Sequence, residues 1–192
     1  MSVVRRLSST DVTRRPVVLC GKIHHIHERI TLRREEPEDA DFVFHLYAST
    51  RADEMQLVPW DDSQKESFFR MQLHFQTAHY RQHYPHASYQ IIVSEGRPIG
   101  RLYVDSQEDQ IRLLDIALLP EYRGAGIGGS LFKELLARAT AEQKPVRMHV
   151  ERENRALRLY QRLGFRILED KGLYYFLEWK PGQGDAAASP YS

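Results

Sequence analysis

Apolar and polar positions between residues 113 and 139 follow a pattern that predicts a strand, a glycine-rich turn and a helix in direct succession. The strand is a short apolar run, made of Leu113, Leu114, Ile116, Leu118 and Leu119. Pro120 ends this run because proline has no N–H to give to a strand ladder. Apolar residues then recur close to helical spacing, at Ile127, Leu131, Leu135 and Leu136. We expect the rest of the fold to be arranged around this unit.

The segment that precedes the first hairpin predicts one strand and two helices. Residues 30–33 alternate like a strand, and the acidic, proline-containing residues 36–39 are typical of a helix start. Asp61 or Asp62 can cap a second helix that runs to about Tyr84. The predicted buried side of this second helix consists of Phe68, Phe69, Met71, Leu73 and Phe75.

Residues 89–94 and 97–105 predict two strands joined by a tight turn at Gly96. Gly100, inside the second strand, permits either a bulge or a close approach of two backbones. These strands form an antiparallel meander that leads into the central strand.

After the central helix, residues 145–150 predict another strand. A short helix capped by Asn154 and ended by Gly164 follows. Residues 165–168 and 173–179 then predict a final hairpin.

The chain of 192 residues has the length of one domain. We expect a single domain over residues 29–180, preceded by a loosely ordered arm at residues 1–28 and followed by a disordered tail at residues 181–192. The arm shows no clear period, and the tail has nothing apolar enough to bury.

Composition narrows the class of protein. The formal net charge is +1, which gives no global field for binding nucleic acid or an anionic membrane. No apolar run reaches the roughly 20 residues that a membrane span needs. Cys20 is the only cysteine and cannot form an internal disulfide, so we expect a cytoplasmic protein.

We expect no metal site, because the pair His79 and His83 lacks a third ligand at helical spacing.

The glycine-rich turn predicts an anion site. Residues 124–129 lie where a helix begins, so its first amides are unpaired and the helix dipole favours negative charge. Glycines allow backbone to come close to a ligand, and a diphosphate suits such a site. Arg123 places a positive charge at its mouth.

Two other interpretations of these glycines stay open. Gly124, Gly126 and Gly129 also satisfy the dinucleotide pattern G-x-G-x-x-G, with Glu151 about 20 residues further on. Four residues separate the strand from the first glycine, however, and too little chain follows for a doubly wound sheet. The turn could also be a purely structural helix start.

Two segments resemble a known family. Arg123-Gly124-Ala125-Gly126-Ile127-Gly128 is similar to the R/Q-x-x-G-x-G/A signature of the GNAT superfamily of acyl-CoA dependent N-acyltransferases. Residues 154–165 resemble its later segment N-x(1–2)-A-x-x-L-Y-x-x-x-G-F, in the same order. The resemblance implies an α/β (α+β) fold: a mixed, mainly antiparallel twisted sheet of about six to seven strands, flanked by about four helices.

The resemblance also implies the chemistry: transfer of an acetyl group from acetyl-CoA, the co-substrate, to an amine. The amide of Leu118 would stabilise the oxyanion, and pantetheine would lie in a gap beside the central strand. Tyr160 would be the general acid, although a core tyrosine is the alternative. The positions implied for coenzyme binding are Ile116, Ala117, Leu118, Arg123, Gly124, Ala125, Gly126, Ile127, Gly128, Gly129, Asn154 and Tyr160. In a stricter alignment Glu153 takes the place of Asn154.

The base that accepts the proton of the amine is left open. His149 has the most suitable intrinsic pKa, and Asp115, Glu151 and a water relay compete with it. Where many relatives place a glutamate, this chain has Arg112.

We expect the acceptor to be a small-molecule or peptide amine, of an identity that the sequence leaves open. Trp60, Tyr80 and the histidines of the second predicted helix are candidates to contact it. Longer acyl groups, a homodimer and a non-catalytic acyl-CoA binding module are further open alternatives.

Overall fold

The computed structural model describes residues 30–56 and 58–183. The predicted arm at residues 1–28 lies outside these ranges, as does the tail from residue 184. Residues 181–183 are described and form a turn in which the Gln183 amide donates to the Lys180 carbonyl, 3.3 Å away. The proposed division into arm, domain and tail stays a prediction.

In the described part of the chain, seven strands form one sheet in the order β1-β2-β3-β4-β5-β7-β6. They are β1 (Ile30–Arg34), β2 (Ser88–Ser94), β3 (Arg97–Ser106), β4 (Ile111–Leu118), β5 (Val146–Glu151), β6 (Arg166–Asp170) and β7 (Tyr174–Trp179). All neighbouring strands are antiparallel except β4 and β5, which are parallel. The predicted mixed, mainly antiparallel sheet is confirmed.

Four α-helices flank the sheet, as predicted. They are α1 (Ala40–Met55), α2 (Asp62–His83), α3 (Ile127–Ala141) and α4 (Leu157–Arg162). Short 3₁₀ turns at Pro37–Asp39 and Pro120–Tyr122 precede α1 and α3. The predicted cap of α2 is Asp61, whose Oδ1 accepts from the Gln64 amide at 2.8 Å, while Gln64 Oε1 accepts from the Asp61 amide at 3.0 Å. This reciprocal cap satisfies two donors that a helix start leaves unpaired.

The sheet has a buried core on each face. Helices α3 and α4 pack against one face, where Phe132, Leu135 and Tyr160 meet β3 and β4 residues such as Leu102. On the other face, Val43 of α1 packs with Ile91 and Val93 of β2.

The predicted buried side of α2 is wrong in part. Phe69 is 7% exposed and contacts α1, but Met71 is 49% exposed and Phe75 is 64% exposed. The reason is the helical period of 3.6 residues. Leu73, four positions after Phe69, shares its face, whereas Met71 and Phe75 lie about 160° and about 120° away around the helix. The five predicted residues therefore could not all face inward.

Gly100 marks a close approach of β3 to β4, one of the two alternatives that the sequence left open. A Cβ at this position would overlap the carbonyl oxygen of Ala117 and lie 2.8 Å from Leu118 Cδ2. The register with β2 also shifts here: Ile92 pairs with Gly100 and Val93 with Pro98, so the extra residue is Ile99 of β3, next to Gly100.

We expect Gly100→Ala to lower the free energy of unfolding by about 1–3 kcal/mol, the usual cost of overpacking. Chemical denaturation measures the change. Gly129→Ala is the matched control, since a Cβ there meets no atom within 4 Å and alanine favours the helix. Equal midpoints for the two variants would contradict the close approach.

Candidate active site

Strands β4 and β5 part soon after they begin to pair. Their register covers only Ile111 to Leu113 on β4 and Val146 to Met148 on β5. Beyond this point β4 remains paired with β3 alone, as far as Leu118. The sheet therefore opens in a V between β4 and β5.

Two side chains donate hydrogen bonds to backbone carbonyls of β4 beyond Leu113, where β4 no longer pairs with β5. The Tyr80 hydroxyl of α2 donates to the Leu114 carbonyl at 3.1 Å, and Arg123 Nε donates to the Leu118 carbonyl at 2.8 Å. The Leu119 amide donates to Ile99 of β3, at 2.9 Å. Because successive peptide groups of a strand point to alternate sides, the amide of Leu118 points away from β3, towards the opening. This is the direction that the predicted oxyanion role requires.

The glycine-rich turn has the backbone geometry of an anion site. Gly124 has a φ of 75°, and Gly126, the N-cap of α3, has a φ of 86°. No side chain caps α3, so the amides of its first turn have no side-chain acceptor. A Cβ at Gly124, Gly128 or Gly129 would meet no atom within 4 Å, so the space beside the turn is open. These residues fit a coenzyme diphosphate.

The Arg123 side chain is held in place by hydrogen bonds to other parts of the protein. Besides its bond to Leu118, its Nη2 donates to Ser49 Oγ at 3.2 Å, on α1. The side chain thus joins the end of β4 to α1, and its contact with a coenzyme stays a prediction.

A cleft of about 390 Å³ runs through the opening and receives residues from both faces of the sheet. Its walls combine helices α1, α2 and α4 with β3, β4, β5 and β7. The lining side chains that bear on the chemistry are Tyr47, Arg51, Gln76, His79, Tyr80, Arg101, Arg112, Asp115, His149, Glu151, Asn154 and Tyr160. Ile116 and Ala117 also line it.

Tyr160 lies at the inner end of this cleft. Its side chain is 5% exposed, and its ring packs on Phe132 with centroids 5.1 Å apart. No described residue holds its hydroxyl by a hydrogen bond. Burial, with a smaller effect of the Asp115 carboxylate, raises the pKa of Tyr160 to about 12. The phenol is therefore fully protonated at neutral pH and able to donate.

Asp115 forms an ion pair at the floor of the cleft. Its Oδ2 lies 2.5 Å from Arg101 Nη2, and the same nitrogen donates to Gln76 Oε1 at 2.9 Å. Arg101 is only 3% exposed, and its Nε is buried without a partner in the described part of the chain. The pair fixes the carboxylate between β3 and β4.

His149 is held by Arg112 and Phe176. Arg112 Nη2 lies 2.8 Å from the imidazole Nδ1, and the ring stacks on Phe176 with centroids 4.9 Å apart. Because a guanidinium only donates, Nδ1 must accept and the neutral ring carries its proton on Nε2. Burial lowers the pKa of His149, and Arg112 and Lys171 lower it further. The imidazole is thus neutral at pH 7, and the lone pair of its Nδ1 accepts the hydrogen bond from Arg112.

Asn154 does not cap α4 directly, contrary to the prediction. Its Oδ1 accepts from the Ala156 amide at 2.8 Å, and α4 begins only at Leu157. The Asn154 side chain therefore closes a local turn instead of capping the helix. A short polar side chain readily accepts a hydrogen bond from the backbone amide two residues further on. Asn154 still lines the cleft, whereas Glu153 does not.

The residues predicted to contact the acceptor do not all line the same pocket. His79 and Tyr80 line the cleft, but Trp60 packs on Phe68 at 5.2 Å and lines a different, shallow pocket. Sequence reasoning missed Arg101. A signal existed, since this arginine interrupts an otherwise apolar strand.

Within residues 30–56 and 58–183 no three His, Cys, Asp or Glu side chains are grouped as metal ligands would be. The same ranges contain no helix whose length and apolar character would suit a membrane crossing.

Comparisons with known proteins agree with this geometry. Residues 85–167 match the family model described as an acetyltransferase (GNAT) domain. A search of curated proteins found no match.

Solved structures with the same fold are distant in sequence. PaiA N-acetyltransferase from Thermoplasma acidophilum, in complex with coenzyme A, is 19% identical with a TM-score of 0.59, covering 79% of this chain and 98% of its own. An acetyltransferase from Thermus thermophilus is 17% identical with a TM-score of 0.58, covering 79% and 97%. Arabidopsis thaliana Naa50, in complex with the bisubstrate analogue CoA-Ac-MVNAL, is 16% identical with a TM-score of 0.53, covering 79% and 99%.

Residues 85–167 are thus similar to a GNAT acetyltransferase domain, and the predicted fold is shared with solved acetyltransferases. The dinucleotide alternative does not fit, because its doubly wound parallel sheet is replaced here by a mainly antiparallel one.

A carboxylate added to the glycine-rich turn should separate helix stability from coenzyme binding. We expect Gly128→Asp to raise stability by about 0.3–1 kcal/mol through the helix dipole. The same charge repels a diphosphate, so we expect the affinity for acetyl-CoA to fall at least about tenfold. Thermal melting and calorimetry measure the two effects, with Gly128→Ser as the uncharged control. Unchanged acetyl-CoA affinity in the aspartate variant would refute the diphosphate site.

We expect the pKa of His149 to lie below its reference value of 6.5. Arg112→Gln should raise it towards that value, because a nearby cation and a desolvated contact disappear. An NMR titration of the imidazole measures the shift, and Lys65→Gln on exposed α2 serves as the control. A pKa that does not move in the Arg112 variant would show that Arg112 does not act on this ring.

Proposed function

We propose that this protein transfers an acetyl group from acetyl-CoA to a primary amine of a small-molecule or peptide acceptor, by direct attack within a ternary complex. One observation carries the proposal. The parting of β4 from β5 opens a cleft lined by Ile116, Ala117 and Tyr160, and strand alternation turns the Leu118 amide towards the same opening.

The chain offers a continuous set of groups for the coenzyme. The amides of residues 124–129 bind the diphosphate, and the free edge of β4 at Ile116, Ala117 and Leu118 bonds the pantetheine arm. Asn154 contacts that arm from the other side of the V. When bound, acetyl-CoA supplies the activated acetyl group as a thioester.

Two groups act on the charges that develop during transfer. The Leu118 amide donates to the carbonyl oxygen as it gains negative charge, which is the usual role of a preorganised backbone donor. Tyr160 donates its phenolic proton to the departing sulfur. Because burial raises its pKa to about 12, the phenol is protonated at physiological pH and has a proton to donate.

The proton acceptor is a choice among three groups. His149 is neutral and exposed to the cleft, but it can accept a proton only after its Nδ1 leaves Arg112 or its ring turns over. Asp115 is less exposed and lies 2.5 Å from Arg101 Nη2 in an ion pair. Glu151 lies 3.6 Å from Arg51 Nη2 at a more exposed position. Direct transfer to one of them, or relay through water, completes the same reaction.

The relatives support the coarse chemistry. One is described in complex with coenzyme A, and another with an analogue that joins CoA to a peptide. The choice of a peptide or small amine for this chain, a homodimer and a cytoplasmic location are predictions that the cleft alone does not decide.

Release of free thiol from acetyl-CoA, followed with a panel of primary amines, tests the function. We expect thiol release that depends on both the amine and the enzyme. Tight acetyl-CoA binding without release for any amine would instead indicate a non-catalytic acyl-CoA binding module.

Tyr160→Phe tests the general acid. We expect kcat at saturating acetyl-CoA to fall about 100-fold or more, because general acid catalysis typically contributes 10²–10⁴-fold. Folding should be preserved, since the hydroxyl has no described hydrogen-bond partner. Tyr175→Phe on β7, which does not line the cleft, is the matched control. Equal kcat values for the two variants would remove Tyr160 from the mechanism.

A further inference from the structure

Arg112 differs from the other arginines of the cleft. Arg101 is paired with Asp115 at 2.5 Å, and Arg51 lies 3.6 Å from Glu151. Among the described residues no carboxylate lies within ion-pair distance of Arg112.

The only polar side chain that bonds to Arg112 in the described ranges is the neutral ring of His149. The guanidinium lies 5.2 Å from the centroid of Phe176, and the ammonium of Lys171 lies 5.7 Å from the same centroid. We call Arg112, His149, Lys171 and Phe176 the cationic ledge. The cation–π contact with Phe176 holds the Arg112 guanidinium in place, and the remaining N–H donors of the guanidinium stay available.

The nearest carboxylates have other partners. Asp105, directly across from Arg112 on β3, accepts from Gln107 Nε2 at 2.7 Å. Glu169 lies 3.2 Å from Lys171 Nζ. The ledge therefore keeps an excess of positive charge at Arg112, and the pKa of His149, lowered by burial and by both cations, agrees with this.

The ledge lies at the opposite end of the V from the glycine-rich turn. Arg112 is in register with Arg147 on β5, where the two strands still pair. Coenzyme phosphates that bind at residues 124–129 therefore lie at the far end of β4 from this cation. An anion at Arg112 must belong to another ligand.

The ledge also lies on the acceptor side of the sheet. Leu113, Met148 and Leu177, the strand neighbours of Arg112, His149 and Phe176, point into the core beneath α3. Because side chains alternate along strands, the ledge faces the other side, where α1 and α2 form the cleft wall.

We propose that Arg112 binds an anionic group of the acceptor, so that the enzyme acetylates amines that also carry a carboxylate or a phosphate. This inference rests on the proposed acetyl transfer. A planar guanidinium matches either anion through paired N–H donors. Arg112 precedes Ala117 by five residues, about 16 Å along an extended strand, so a spacer of several carbons separates the amine from the anion.

Matched pairs of amines test this preference at saturating acetyl-CoA. The pairs are β-alanine and propylamine, γ-aminobutyrate and butylamine, ε-aminocaproate and hexylamine, and 6-aminohexyl phosphate and 6-methoxyhexylamine. We expect the anionic member to have a kcat/KM higher by about 10- to 100-fold in the longer carboxylate pairs or in the phosphate pair, the range for a charge-assisted hydrogen bond. The pair that shows the larger ratio distinguishes carboxylate from phosphate.

Arg112→Gln should bring that ratio close to one. Arg147→Gln is the matched control, because it removes the same charge one strand away from a residue that bonds Glu178 at 2.7 Å and does not line the cleft. We expect it to keep the wild-type ratio. Equal kcat/KM within every pair, or a preference that survives Arg112→Gln, would overturn the inference.

Failure of the proposed acetyl transfer is distinguishable from failure of the anion site. If no amine releases thiol although acetyl-CoA binds, the transfer is refuted. Calorimetry with CoA-loaded protein then decides the anion site through γ-aminobutyrate and butylamine. Binding of the acid alone, lost in Arg112→Gln, supports the site, and any other result contradicts it.

Discussion

After Leu113, β4 no longer pairs with β5, and its free backbone edge must find hydrogen-bond partners elsewhere. The protein satisfies part of this edge with side chains, from Tyr80 to the Leu114 carbonyl and from Arg123 to the Leu118 carbonyl. The amide of Leu118 remains directed into the gap. The break in sheet pairing leaves a free backbone edge on β4, and the cleft opens where the two strands part.

The surrounding elements keep this edge in place. Gly100 lets β3 approach β4 closely beside Ala117 and Leu118, where any Cβ would force the strands apart. The open V also connects two chemically different ends. At one end the uncapped start of α3 offers backbone donors without side chains, and at the other Arg112 offers a cation without a carboxylate. The two ends of the cleft therefore offer different groups to a ligand.

Burial sets the protonation states of the groups inside. It raises the pKa of Tyr160 and lowers that of His149, so both are neutral at pH 7, one as a donor and the other as a ring with an occupied lone pair. Asp115 and Arg101 form an ion pair, with Oδ2 and Nη2 2.5 Å apart. The site thus combines neutral groups at its walls with a fixed ion pair at its floor.

The sequence by itself determined the strand, glycine-rich turn and helix, the hairpins and the two family segments, because strand alternation, positive φ at glycine and helix caps depend on neighbours in the chain. The roles of Tyr160 and Leu118 come from the family resemblance and stay predictions. Tertiary structure decided which face of α2 is buried, the pairing of Arg101 with Asp115 and the contact of Arg112 with His149. Those outcomes depend on distances between residues from 14 to 37 positions apart, or on packing between whole elements, and no local pattern encodes them.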